Sequence, residues 1–159
     1  MLRSRVRGFS LIELLAAAAI VGILASVAVP VVETTVRRHK ERELRQALRD
    51  IRGAIDAWKA AAASGRIAVN EADSGYPPSL ADLSAGVEDQ TNKTGPRLYF
   101  LRRIPRDPFA PDASLPAADT WGKRSFDSPP DAPQEGDDVF DVYSRSSAAG
   151  LNGLPYREW

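Results

Sequence analysis

The sequence predicts an α+β chain: one long N-terminal helix, then a head of short strands and many loops. Three observations lead there. From Leu14 to Val32 the only clearly polar side chain is Ser26. From Glu33 to Ala63 there is no proline, and apolar residues recur every three or four positions. Beyond Gly65 prolines and glycines become frequent, while aromatic and β-branched residues gather in two short runs.

The first half of the helix, residues 9–32, is long enough to cross a bilayer. A helix rises ~1.5 Å per residue and a hydrocarbon core of ~30 Å takes ~20 residues. Arg3, Arg5 and Arg7 precede it, which places the N-terminus in the cytoplasm and the rest of the chain outside. Arg37, Arg38 and Lys40 follow closely and weaken that orientation signal, but the basic leader comes before the apolar core and no second span exists. Glu13 stands at the mouth of the segment. A lone carboxylate there is unfavourable unless something pairs with it, so Glu13 is the first functional candidate. Two plainer readings compete. Ser26-Val27-Ala28 is a small-residue cleavage site for an ordinary signal peptide, though Glu13 then intrudes where the apolar core should begin. A simple signal anchor with an incidental glutamate near the headgroups is the other.

The second half, residues 33–63, is amphipathic. Leu44, Leu48, Ile51, Ile55, Trp58 and Ala62 alternate by four and three and share one face. Arg42, Arg45, Arg49, Arg52, Asp56 and Lys59 are expected opposite. The apolar stripe should pack on a head, and Ser64-Gly65 should stop the helix.

In the head, residues 64–159, Ser79 to Ala85 predicts a short helix, with Ser79 as cap and Asp82 three residues on. Leu98 to Ile104 is a helical turn or extended, ended by Pro105 and Pro108. Trp121 to Phe126 and Val139 to Arg145 predict strands, and Asp127 to Asp138 between them is a Pro/Asp-rich loop. Leu151, Leu154, Tyr156 and Trp159 are expected to close the head by apolar packing.

Composition excludes several functions. There is no cysteine, hence no disulfide, thiolate catalysis or Cys-type zinc site. His39 is the only histidine and lies on the helix, so no Ser-His-Asp set forms in the head. The glycines are scattered and make no phosphate loop. The zero net charge hides a division: residues 1–66 carry 12 Lys/Arg against 6 Asp/Glu, and residues 67–159 carry 9 against 15. A basic stem and an acidic head favour attraction between subunits, screened over ~8–10 Å by salt, although basic residues near a membrane and an acidic soluble surface are each common alone. Arg102-Arg103 beside Tyr99 and Phe100 resembles a nucleic-acid patch, but the acidic head favours a structural role and no nucleic-acid partner.

Gly8-Phe9-Ser10-Leu11-Ile12-Glu13, with its basic leader and apolar sequel, resembles the class III leader and mature start of type IV pilins and type II secretion pseudopilins. In order, Tyr76-Pro77 with Leu80 and Leu83, Ile104-Pro105-Arg106-Asp107-Pro108-Phe109, Trp121-Gly122 and Asp141-Val142-Tyr143-Ser144 are similar to the major pseudopilin of type II secretion systems. The resemblance implies a pilin-like fold with the long helix packed on a small antiparallel β-sheet. It implies a leader at residues 1–8, cut between Gly8 and Phe9 by a prepilin peptidase that methylates the Phe9 amine. It assigns assembly to Glu13 and to Pro30, the helix-interrupting proline. The implied protein is a non-enzymatic subunit of a periplasmic pseudopilus that helps export folded proteins. Its partners would be copies of itself, other pseudopilins, the prepilin peptidase, the inner-membrane assembly platform and the membrane. It would cross the inner membrane once, with a periplasmic head. The alternative is a type IV pilin or minor pilin for adhesion, twitching or DNA uptake.

Major pseudopilins usually bind calcium in an aspartate-rich C-terminal loop. Here Ser146 to Trp159 offers only Asn152 and Glu158 as side-chain oxygen ligands, whereas calcium takes about six to eight oxygens. Asp137, Asp138 and Asp141 are the remaining calcium candidates, with Glu135 nearby. A solvated loop is the preferred reading, so no cofactor or metal is assigned.

The processing expectation is directly measurable. Intact mass of the membrane-extracted protein should show loss of residues 1–8 and gain of one methyl group on Phe9. A mature chain beginning at Val29 would instead identify a cleaved signal peptide.

Overall fold

The computed structural model describes residues 9–70 and 73–159, with the backbone alone at 27–30. The elements are α1 (Leu11–Ala63), α2 (Asp82–Ala85), β1 (Trp121–Arg124) and β2 (Asp141–Ser144), with 3-10 turns at Ala117–Thr120 and Tyr156–Glu158. The architecture is pilin-like α+β, with the later turns of a long N-terminal helix packed on a small antiparallel sheet. The chain divides between His39 and Lys40 into two compact units.

In the first unit α1 is long and apolar enough to cross a membrane. Among the described residues, twelve large apolar side chains between Phe9 and Val36 are more than half exposed. A helix apolar on every side needs a cover other than water. At ~1.5–3 kcal/mol per buried large side chain, covering these is worth on the order of 20 kcal/mol. The backbone stays helical through Pro30, although proline supplies no N–H to the carbonyl four residues back.

In the second unit the predicted stripe is the core. Leu44, Leu48, Ile51, Ile55 and Trp58 are buried together with Ala47, Ala54 and Ala61, and they meet Leu80, Leu83, Trp121, Val142 and Tyr156. Ala62 lies at its edge, half-buried. The opposite face is smaller than expected, because Arg52 and Lys59 flank the stripe and turn inward. Arg52 donates to Asp141 Oδ1 at 2.8 Å, to the Val142 carbonyl at 3.1 Å and to the Trp159 carbonyl at 2.9 Å. Lys59 donates to the Ser74 carbonyl and lies 4.8 Å from the Tyr76 ring centre. Long side chains can bury their stems and still deliver their charged ends to acceptors.

The helix stops where expected. Gly65 takes φ +72°, the Arg66 N–H bonds the Ala61 carbonyl at 2.9 Å and the Gly65 N–H bonds that of Ala62 at 3.0 Å. This pair of bonds is a Schellman cap, which glycine favours because it has no Cβ to oppose positive φ. Just beyond, Arg66 binds Asp89 Oδ2 at 2.7 Å, and the Arg66 carbonyl accepts the Gln90 N–H.

The other head elements are shorter than the sequence predicts. Helix α2 starts at Asp82 rather than Ser79, because the Ser79 N–H and hydroxyl both bond Asp82 Oδ2, at 3.0 and 2.7 Å, and close a turn first. Leu98 is extended and bridges Val87, after which the Phe100 and Leu101 N–H groups bond the Leu83 carbonyl. The strands keep four residues each, in the register Trp121↔Ser144 to Arg124↔Asp141. Ser125 leaves the ladder to bond Gln134, and the Val139 N–H bonds Pro77. Gly122 faces Tyr143 across the pair, and a Cβ there would come within 2.3 Å of the tyrosine ring.

The Arg66–Asp89 contact predicts an acid response. The Arg66 guanidinium, with Thr91, lowers the Asp89 carboxyl from 3.8 to about 2. A lowered folded value means that the contribution is complete above about pH 4 and is lost as pH falls toward 2. The melting temperature of the wild-type chain should therefore fall more steeply over this window than that of Asp89→Asn. Parallel pH profiles for the two proteins would show that the pair does not contribute.

Candidate processing and assembly site

The candidate residues are carried by the first turns of α1. Gly8 lies outside the described residues. Phe9 and Ser10 precede the helix, and the Phe9 side chain is 81% exposed. Ser10 and Glu13 form a capping box. The Ser10 N–H and hydroxyl bond Glu13 Oε2 at 2.8 and 2.9 Å, and the Glu13 N–H reaches the Ser10 hydroxyl at 3.3 Å. This arrangement satisfies N–H groups that the helix itself leaves open. Among the described residues both bonds to the carboxylate fall on Oε2, which leaves Oε1 for a further donor. The spacing Ser10-x-x-Glu13 is legible in the sequence as a capping box, but the apolar setting of Glu13 drew attention to charge pairing instead.

Around this carboxylate Leu11, Ile12, Leu14 and Leu15 are all exposed. Further along, the backbone from Gly22 to Pro30 is unbroken helix. The Ser26 hydroxyl bonds the Ile23 carbonyl at 2.7 Å, a side-chain bond to the backbone one turn back.

The calcium candidates are not gathered. Asp141 is held by Arg52 at 2.8 Å and lies 3.8 Å from Arg124. Asp138 accepts the Ser74 hydroxyl and the Phe126 N–H, the latter at 2.9 Å. Asp137 is exposed. Among the described residues no group of three or more His, Asp or Glu side chains is placed to hold a metal ion.

The head motifs converge on one buried knot. Asp107 is 2% exposed and accepts the Ser144 hydroxyl at 2.7 Å and the Phe109 N–H at 2.8 Å. Its own N–H bonds the Thr120 hydroxyl at 3.1 Å, and Trp121 Nε1 donates to the Pro105 carbonyl at 2.9 Å. The Ile104–Phe109, Trp121-Gly122 and Asp141–Ser144 motifs are therefore parts of one structural unit, with no nucleophile–base pair among them.

The sequence reading missed Glu41. It is 5% exposed and accepts the Leu151 N–H at 2.7 Å and the Tyr156 hydroxyl at 3.0 Å. The signal was present, since Glu41 continues the Leu44, Leu48 stripe one step toward the N-terminus. In the tail, Tyr156 is buried and stacks on Phe109 at 4.0 Å, and Trp159 packs edge-on against it. Leu151 and Leu154, expected inside, are 45% and 52% exposed. They sit on a turn that Gly153 makes with φ +82°, closed by the Gly150 N–H on the Leu154 carbonyl.

The prokaryotic N-terminal methylation motif covers residues 3–29. The chain is 30% identical to type II secretion system core protein G of Dickeya chrysanthemi over 156 residues, 94% of each chain. The chain belongs to that family, the major pseudopilins. It is 32% identical over 145 residues to the core protein G of Pectobacterium carotovorum subsp. carotovorum, covering 85% of this chain and 83% of that one. With the Klebsiella pneumoniae protein of the same description it shares 28% over 141 residues, 85% of this chain and 93% of that one. No solved structure matches. Pseudopilins are structural proteins and not enzymes. The pseudopilin's apolar helix and motif are those of a membrane-anchored prepilin.

The engagement of Asp138 and Asp141 within the chain gives a testable expectation for calcium. The melting temperature of the detergent-solubilised pseudopilin should be the same in calcium and in chelator. Stabilisation by several degrees would show that the loop around Asp137 rearranges to bind the ion.

Proposed function

We propose that the chain is a subunit of a type II secretion pseudopilus. It is anchored once in the inner membrane with its head in the periplasm, and polymerises with its own kind to help move folded proteins outward. The prepilin peptidase cuts between Gly8 and Phe9 and methylates the Phe9 amine. Other pseudopilins and the inner-membrane platform are its assembly partners. The observation that carries this reading is the carboxylate of Glu13, which has one oxygen in the capping box and the other open, within an exposed apolar shell.

In a filament that shell is covered by the helices of other copies. Cleavage creates a cationic amine at Phe9, and the open oxygen of Glu13 on a neighbouring copy is its acceptor. An unpaired carboxylate in hydrocarbon costs on the order of 3 kcal/mol, so the pairing sets the axial register of each incoming subunit. Pro30 leaves the Ser26 carbonyl without its helical donor, which makes the Gly22–Pro30 stretch the place where the helix loosens on packing. The relatives named above are all secretion proteins, which puts the type IV pilus reading second.

Glu13→Val separates insertion from assembly. The segment becomes more apolar, so abundance and cleavage at Gly8 should be normal. Filament cross-linking and secretion should be lost. Cross-linking of this variant at the wild-type level would remove Glu13 from assembly and leave it as a helix cap.

A further inference from the structure

Between Arg42 and Ala60 one face of α1 is exposed, with Glu158 and Trp159 of the tail beside Arg45 and Arg49. Arg42, Arg45 and Arg49 are exposed and spaced three and four apart, so they form one row. Arg45 rests over the Trp159 ring at 4.3 Å and Arg49 bonds Gln46 at 2.7 Å, contacts that support the row without neutralising it. Gly53 continues the row, since eleven residues after Arg42 is three turns to within about 20°. Glycine within a helix is unfavourable relative to alanine, yet a Cβ at Gly53 would meet nothing within 4 Å. No packing inside the chain requires the missing side chain. Ala57 and Ala60, also exposed, extend this low surface.

The complementary charge is on the head. The loop from Asp127 to Asp138 has five acidic residues and no lysine or arginine. Asp127 and Asp137 are exposed and line the same cleft as Trp58, about 690 Å³ in volume. Trp58 is ~20 Å further along the helix axis than Arg45, at ~1.5 Å per residue. The head covers the apolar face of α1, and the arginines occupy the other. Asp127 and Asp137 thus stand by Trp58, well along the axis from Arg45, whereas Asp131 of the same loop lines a cleft with Arg52 and Trp159. A second copy displaced along the axis would bring its Asp127 and Asp137 alongside the arginines. A contact between two different surfaces that does not close on itself generates a filament.

We propose that the Arg42–Arg45–Arg49 row and the small surface beginning at Gly53 form a docking face for a second copy, whose acidic 127–138 loop reaches the arginines. This inference rests on the self-assembly reading above. The chain's own charge division, basic up to residue 66 and acidic beyond, favours another copy as the occupant.

The pseudopilin has no cysteine, so disulfide cross-linking between two differently tagged full-length chains is clean. One chain carries Arg49→Cys and the other Asp137→Cys. A separate pair, Ala16→Cys with Ile20→Cys in the apolar half, reports assembly alone. The head pair should form a mixed disulfide dimer in oxidised membranes. Cross-linking of the apolar pair without the head pair overturns this inference and leaves self-assembly standing, whereas failure of both removes both. Arg45→Glu with Arg49→Glu should lower the apolar-pair ladder about tenfold, since like charges brought together are strongly unfavourable. Adding Asp127→Arg and Asp137→Arg should restore it. A ladder indifferent to charge reversal, or a swap that fails to restore, overturns the proposal. Gly53→Leu should keep the wild-type melting temperature and still weaken the ladder, and a normal ladder would overturn the close approach at Gly53. A normal ladder with lost secretion in the arginine variant would assign the face to another component of the machinery.

Discussion

The rest of the structure depends on one helix having to satisfy two different surroundings. Up to Val36 the large apolar side chains among the described residues are exposed. From Glu41 onward a single stripe is apolar, and the head covers it. The transition is marked by charge. Arg37, Arg38 and Lys40 come just before the stripe, and Glu41 opens it as a buried carboxylate. That carboxylate binds Leu151 and Tyr156, so the end of the chain is fastened where the stripe begins.

The head needs this fastening because its sheet is small. Two strands of four residues make few ladder bonds, and an isolated pair of strands is marginal in water. Stability comes instead from the helix stripe and from side chains that replace missing ladder. Asp107 joins three separate segments through Phe109, Thr120 and Ser144. Arg52 ties α1 to β2 and to the last residue of the chain. Tyr156 joins Phe109, Trp159 and Glu41 in one cluster. Each of these contacts spans a long stretch of sequence, so the loops between them are free to be rich in proline and glycine.

This distribution also explains which features were legible beforehand. The long helix, its two halves and its stop at Gly65 were readable because their signals are local: apolar periodicity, absence of proline, a glycine at the cap. The strands were placed correctly but overextended by one or two residues at their ends. Phe126 and Val139 have the right side chains for a strand, yet their N–H groups go to Asp138 and to Pro77. Arg52 and Lys59 were expected on the polar face and Glu41 was passed over, while each is drawn inward by acceptors or donors distant in sequence. At the functional site the capping role of Glu13 is written in the Ser10-x-x-Glu13 spacing. The pairing proposed for it depends on a neighbour that one chain does not contain.

The carboxylates of the head fall into two physical classes, and the division bears on both metal binding and assembly. Asp89, Asp107 and Asp141 are buried or half-buried, and each is occupied by donors from its own chain. Moving one to a cation would leave an arginine or a buried hydroxyl unpaired, and buried polar groups left without partners are destabilising. Asp127, Asp131 and Asp137 are exposed on the 127–138 loop, which itself contains no lysine or arginine. Their mutual repulsion is weakened by water and salt in a single subunit. It is relieved further by any cationic surface brought alongside, and the exposed arginine row of α1 in a second copy is the surface proposed above. The same sorting that engages the inner carboxylates within the chain leaves the outer ones exposed, as the proposed contact between copies requires.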